Sequence, residues 1–221
     1  VCLPAVAAAL ASTLLAGRAG AATEVRWGKS AKYDTGRLPS VSMDENGTVV
    51  EVHVSETTDA LWYRVGKVDA AGSVSFSKSV RYDSGIDPSI ALGPAGLVVE
   101  VHESEGADTL WYHVGEVDAG TGTISWGKSV RYDNGIGAAL AVGRDGRVIE
   151  VHESQGTDTL WYHVGAVSPK TRTISWGESV RYDTGLRPRL ALHPRGRVAI
   201  EVHESEGTDT LWYHLGDLPG E

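Results

Sequence analysis

The chain has 221 residues, 41% hydrophobic and 22% charged, a balance that excludes a disordered polymer and suits one domain or a compact repeat array. Acidic residues outnumber basic ones 29 to 20, for a net charge of −9. With no basic patch, nucleic acid and anionic membranes are excluded as partners, and a lone cysteine, Cys2, excludes a disulfide scaffold.

From the N-terminus, Leu3 to Leu15 is an uncharged run of small and apolar residues, followed by Ala19-Gly20-Ala21. The run is too short to span a bilayer. It reads as the apolar and cleavage regions of a secretory signal peptide over residues 1–22, so the expectation is a secreted protein with no stable membrane insertion.

Beyond residue 22 three words recur at intervals of 49 to 51 residues. The first, found from Trp27, Ser75, Ser125 and Ser175, ends in Tyr-Asp-x-Gly, with its tyrosines at Tyr33, Tyr82, Tyr132 and Tyr182. The second, Glu-Val-His, starts at Glu51, Glu100, Glu150 and Glu201. The third, Leu-Trp-Tyr, starts at Leu61, Leu110, Leu160 and Leu211. All seven tryptophans lie inside these words. Such regularity identifies a tandem array of one supersecondary unit of about 50 residues.

Within a unit, apolar and polar residues alternate, and Gly, Pro, Asn and Asp mark the joins. Four strands are predicted, exemplified by Pro88–Leu92, Val148–Ser154, Leu160–Val167 and Ile174–Asp183. The units run over about 35–83, 84–133, 134–183 and 184–221. A lone fourth strand, Glu24 to Asp34, precedes the first unit, and the last unit stops after its third strand. One end thus carries what the other lacks. That permutation predicts an all-β, four-bladed propeller closed by the N-terminal strand pairing with the last blade. A homodimer in which two chains share a larger ring is the alternative closure.

The polar residues of the second word share one strand face, as Glu100 and His102 do. In a blade both faces are covered, so such groups need partners. The structural reading makes Glu51, His53, Glu100, His102, Glu150, His152, Glu201 and His203 a hydrogen-bond network, with Tyr132 and Asp133 as candidate partners. One Glu and one His per unit show no dedicated ligand spacing, so neither metal nor cofactor is expected. Trp62, Trp111, Trp161 and Trp212 are followed on the same face by Arg64, His113, His163 and His214. These tryptophans either fill wedges between blades or present flat rings to a sugar.

The run Gly207, Asp209, Leu211, Trp212, Tyr213 resembles the repeat of bacterial and fungal sugar-binding β-propellers of the fucose-binding type. Earlier copies match through Gly106, Asp108, Leu110 and Trp111, and through Gly156, Asp158, Leu160 and Trp161. The first keeps Asp59, Leu61 and Trp62 but has Thr57 for the glycine. The resemblance implies glycans as ligands, with Trp62, Trp111, Trp161, Trp212, Arg64, His113, His163, His214, Asp59, Asp108, Asp158 and Asp209 at repeated sites. This chain lacks the family's further tryptophans after the Leu-Trp pair.

The expectation is therefore a multivalent, non-enzymatic lectin, since nearly every polar residue is copied in each unit and no single catalytic group stands out. A protein-binding or structural propeller is the first alternative, and a glycan hydrolase or lyase the second.

Overall fold

The computed structural model describes residues 29–193 and 197–218. The expected leader, Cys2 and Trp27 lie outside them, as does the first part of the expected closing strand. All regular secondary structure described lies in the unit comprising residues 33–221. Among the described residues no helix is long and apolar enough to cross a membrane.

The architecture is all-β, with four antiparallel sheets arranged as a four-bladed β-propeller. The first blade holds β1 (Arg37–Met43), β2 (Thr48–Val54), β3 (Ala60–Val68), β4 (Val74–Phe76) and β5 (Val80–Ser84). The second holds β6 (Ile86–Leu92), β7 (Leu97–Glu103), β8 (Thr109–Asp118), β9 (Thr123–Trp126) and β10 (Val130–Asn134). The third holds β11 (Ile136–Val142), β12 (Arg147–Ser154), β13 (Thr159–Ser168), β14 (Thr173–Trp176) and β15 (Val180–Thr184). The fourth holds β16 (Leu186–Leu192), β17 (Val198–Glu204) and β18 (Leu211–Asp217).

Each complete blade has five strands where the alternation predicted four. The outer word breaks at residues 77–79 and 127–129, and both halves pair with the same long strand. The break is stitched by one backbone bond: the Gly127 N–H donates to the Val114 carbonyl at 2.8 Å. Opposite the break on the long strand lies His113, whose Nδ1 faces the Gly127 carbonyl at 3.2 Å.

β1, β6, β11 and β16 pack side by side as the inner strands. Between the first and second blades Val50, Val52, Tyr63 and Val65 pack on Ile90, Val98 and Ile124. Between the second and third, Val99, Val101, Tyr112 and Val114 meet Ala138, Leu140, Val148 and Ile174. Aromatic wedges extend these cores: Trp126 stacks on Tyr82 at 5.3 Å and Trp176 on Tyr132 at 5.1 Å. At the two ends of the series the equivalent faces are open, with Val41 65% exposed on β1 and Leu215 68% exposed on β18.

Two tyrosine hydroxyls cross the seams. Tyr63 accepts the Ile124 N–H and Tyr112 the Ile174 N–H, both at 3.1 Å. Tyr112→Phe leaves a buried N–H without its acceptor, which costs about 1–3 kcal/mol. Denaturant unfolding should show that loss at unchanged m-value; an unchanged midpoint would remove the seam bond from the list of stabilising contacts.

Candidate functional site

Between adjacent blades the chain builds one polar cluster repeatedly. Strand alternation turns Glu100 and His102 to the same face of β7. Both are buried, and His102 Nδ1 lies 3.1 Å from Glu100 Oε2. The neighbouring strand β8 adds His113, also buried, directly opposite Glu100 in register. The preceding blade completes the group: Asp83, at the outer end of β5, places Oδ2 2.8 Å from His113 Nε2 and 3.8 Å from His102 Nε2. His113 Nδ1 faces the Gly127 carbonyl at 3.2 Å. Tyr82 turns its buried hydroxyl toward the Glu100 charge.

The next seam repeats this with Asp133 Oδ2 2.7 Å from His163 Nε2 and His152 Nδ1 3.1 Å from Glu150. The last repeats it with Asp183 Oδ2 2.7 Å from His214 and His203 Nδ1 3.1 Å from Glu201. In the first blade His53 Nδ1 contacts Glu51 at 3.1 Å, and Tyr33 donates to the same carboxylate at 3.2 Å. There Arg64 stands at the place of His113. Its Nε donates to Asp34 Oδ2 at 2.7 Å and its Nη1 to the Ser77 carbonyl at 3.2 Å.

A glycine permits this approach. Gly135, just past the Tyr-Asp pair, has φ +155°, and a Cβ there would sit 2.6 Å from His152 Cδ2 and 2.8 Å from the Glu153 carbonyl oxygen. Only a residue without a side chain brings Asp133 this close to the next blade.

The Leu-Trp tryptophans Trp62, Trp111, Trp161 and Trp212 stand opposite His53, His102, His152 and His203 in register. Trp62, Trp111 and Trp161 are half-buried, and Trp212 is 59% exposed. The indole N–H of Trp111 and of Trp161 donates to Thr109 and Thr159 at 3.0 Å, and that of Trp212 to Thr210 at 3.1 Å. The Asp residues of the loops have a backbone task. Asp108, Asp158 and Asp209 are left-handed, with φ between 47° and 52°. The carbonyls of Asp59, Asp108 and Asp158 accept the N–H of Gly85, Gly135 and Gly185 at 2.6, 2.8 and 2.7 Å. The Asp59 side chain holds Arg37 at 2.6 Å.

Sequence reasoning missed a second group at the rim of the inner strands. Each inner strand carries a bulge whose first residue is left-handed: Leu38, Asp87, Gly137 and Arg187, with φ of 52°, 51°, 61° and 53°. Four different residues thus occupy one repeated position. Glu103 and Glu153, buried at the ends of β7 and β12, reach across the seam to this bulge. Glu153 accepts the Arg187 N–H at 3.0 Å and Glu103 accepts that of Gly137. Burial raises the Glu103 pKa to about 7, with the charges of Asp87, Asp108 and Glu153 adding to the rise. Burial likewise raises Glu153. The available signal was the breakdown of fourfold identity at positions 38, 87, 137 and 187.

No protein-family profile and no curated protein matches the chain. Solved structures do share the fold over part of their length. The NanB sialidase of Streptococcus pneumoniae superposes with a TM-score of 0.55 at 12% identity, over 77% of this chain and 28% of that one. An α-L-arabinanase of Penicillium chrysogenum gives 0.53 at 13%, over 81% and 56%. The GH93 α-L-arabinofuranosidase of Fusarium graminearum gives 0.51 at 15%, over 82% and 62%. The chain therefore spans less than two thirds of each.

The expectation of a non-enzymatic lectin is corrected by these likenesses: the three solved structures named are a sialidase, an arabinanase and an arabinofuranosidase, and none is a lectin. The expectation rested on the sameness of the four units. That sameness holds for the Glu-His pair of every unit and fails at the inner-strand bulges, where Leu38, Asp87, Gly137 and Arg187 differ.

The clusters tie stability to pH in two directions. Burial opposes ionisation of Asp83, yet hydrogen bonds from His113, Ser129 and the Ser84 N–H hold its carboxyl below the usual range. Its stabilising effect is in place above the unfolded carboxylate value of about 4 and is lost as pH falls through the depressed folded value. Burial would lower His102, but the Glu100 carboxylate, then Asp83, raise it. That contribution is in place below the unfolded histidine value of about 6.5 and is lost as pH rises through the folded one. Glu103 works in the same sense as His102, losing its contribution as pH climbs through about 7. Thermal unfolding should therefore peak in mildly acidic buffer, at roughly pH 4–6. Asp83→Asn should flatten the acid side of the curve, and a Tm that rises steadily to pH 8 would contradict the assignment.

Proposed function

We propose that this propeller acts on glycosidic bonds, with Glu103 as proton donor at the rim of the inner strands. Glycoside hydrolysis commonly uses two carboxyl groups in different protonation states, one to protonate the leaving oxygen and one to act on the sugar's opposite face. The observation that carries the reading is Glu103, a buried carboxyl whose pKa stands at about 7 beside Asp87 and Asp108. A group so tuned holds its proton in mildly acidic solution and can still release it, as a general acid must.

Asp87 supplies the second carboxyl from a strained backbone position. Left-handed φ in a non-glycine residue costs of order 1 kcal/mol or more and concentrates at working sites. Arg187, at the matching bulge two blades on, sets a guanidinium on the same rim, bound to Glu204 at 2.9 Å. Acid and base thus come from neighbouring strands of the second blade, and the cation from the bulge of the fourth that matches Asp87. That a sialidase, an arabinanase and an arabinofuranosidase share this fold supports the reading.

A panel of fluorogenic aryl glycosides, with arabinofuranosides and sialosides among them, tests the proposal. Turnover should fall as pH rises through about 7, where Glu103 loses its proton. Glu103→Gln should lower kcat/KM by about a hundredfold or more while leaving Tm near that of the parent. Wild-type inactivity across the panel, or full activity of Glu103→Gln, would sink the proposal.

A further inference from the structure

The seam clusters have a second property. Asp83, His102 and His113 each offer a ligand atom, and the three atoms lie within 4.8 Å of one another. The same holds for Asp133, His152 and His163, and for Asp183, His203 and His214. We propose that these three groups bind zinc, each ion joining one blade to the next through two imidazoles and one carboxylate.

Zinc bonded to nitrogen and oxygen at about 2.0–2.1 Å in a tetrahedron separates its ligand atoms by roughly 3.3 Å. His113 Nε2 and His102 Nε2 stand 2.8 and 3.8 Å from Asp83 Oδ2, on either side of that value. The histidine rings lie nearly parallel, with centroids 5.8 Å apart, so both Nε2 atoms converge on the carboxylate from one side. Side-chain shifts of about half an ångström equalise the distances.

The outer partners have the form that metal-binding histidines use. A ligating imidazole donates its other N–H to a carboxylate or backbone carbonyl, which holds the tautomer and aims the free lone pair at the metal. Here His102 Nδ1 faces Glu100 Oε2 at 3.1 Å and His113 Nδ1 faces the Gly127 carbonyl at 3.2 Å. With Nδ1 protonated, both Nε2 lone pairs point at Asp83. The Asp83 side chain is 26% exposed while both rings are buried, which gives an ion a path from solvent and leaves a fourth position for water.

The first blade supplies an internal comparison. Glu51 and Asp34 set the same two negative charges there, and Arg64 replaces the second histidine with a fixed cation. The site demands positive charge, and a guanidinium provides it where the metal ligand is missing. In the other three seams a divalent ion meets the same demand and crosslinks the blades as well. Ligands from two repeats, with Asp83 separated by 19 and 30 residues from its histidines, match no short spacing motif.

The experiment uses the untagged full chain, stripped with chelator and dialysed, then titrated with zinc chloride and followed by calorimetry and native mass spectrometry. Zinc should bind at the seams and raise Tm by roughly 5 °C or more at saturating ion. His113→Arg and His163→Arg each copy the natural first blade, so both should fold, and each should lose one bound zinc relative to the parent. Cobalt in place of zinc gives visible absorption that should drop in step with each variant. Failure of the stripped chain to bind zinc at about 100 μM, or equal zinc uptake by parent and both variants, would overturn the proposal in favour of protonated imidazoles alone.

Discussion

A carboxylate and a histidine buried side by side in the middle of a blade cannot be left to themselves. Glu100 and His102 leave water on folding, and an uncompensated buried charge costs several kcal/mol. The compensation comes from outside their own sheet, through Asp83 and Tyr82 of the preceding blade. Much else in the molecule serves that meeting. The outer strand splits where the Gly127 carbonyl meets His113, a glycine follows each Tyr-Asp pair so that the chains can close up, and Trp126 covers the junction by stacking on Tyr82. Each blade is thereby completed by its predecessor.

With the blades locked from the outside, the inner strands are free to differ. Their bulges accept Leu38, Asp87, Gly137 and Arg187 at one position, although all four hold a left-handed backbone and three of them carry a side chain there. Glu103 and Glu153 brace the bulges from the preceding blade, and burial moves both carboxyls toward their neutral forms. Repetition thus provides the scaffold, and departure from repetition falls on the inner strands. Arguing function from the repeated words alone gives weight to the residues least suited to a single reactive centre.

The same division explains how the polar tips of the Leu-Trp-Tyr strands read in sequence and in space. His113 and His163 follow a tryptophan on one face, which suggests a shared ligand surface. In the fold they are buried and turned onto the aspartate of the previous blade, while Trp111 and Trp161 bond to threonines of their own strands. The Gly-x-Asp loop, which carried the likeness to fucose-binding propellers, uses its aspartate carbonyl to close the turn of the outer strand.

The sequence by itself determined the repeat, the all-β character, the number of blades and the shared face of each Glu-His pair. These follow from periodicities of 2 and about 50 residues, which act within a strand or between identical units. Tertiary structure decided what crosses the seams: the pairing of Asp83 with His113 across 30 residues, the place of that histidine opposite a split strand, and the pKa of Glu103. Those depend on how one sheet packs against the next and on the water excluded between them, and neither quantity is a property of any local stretch of chain.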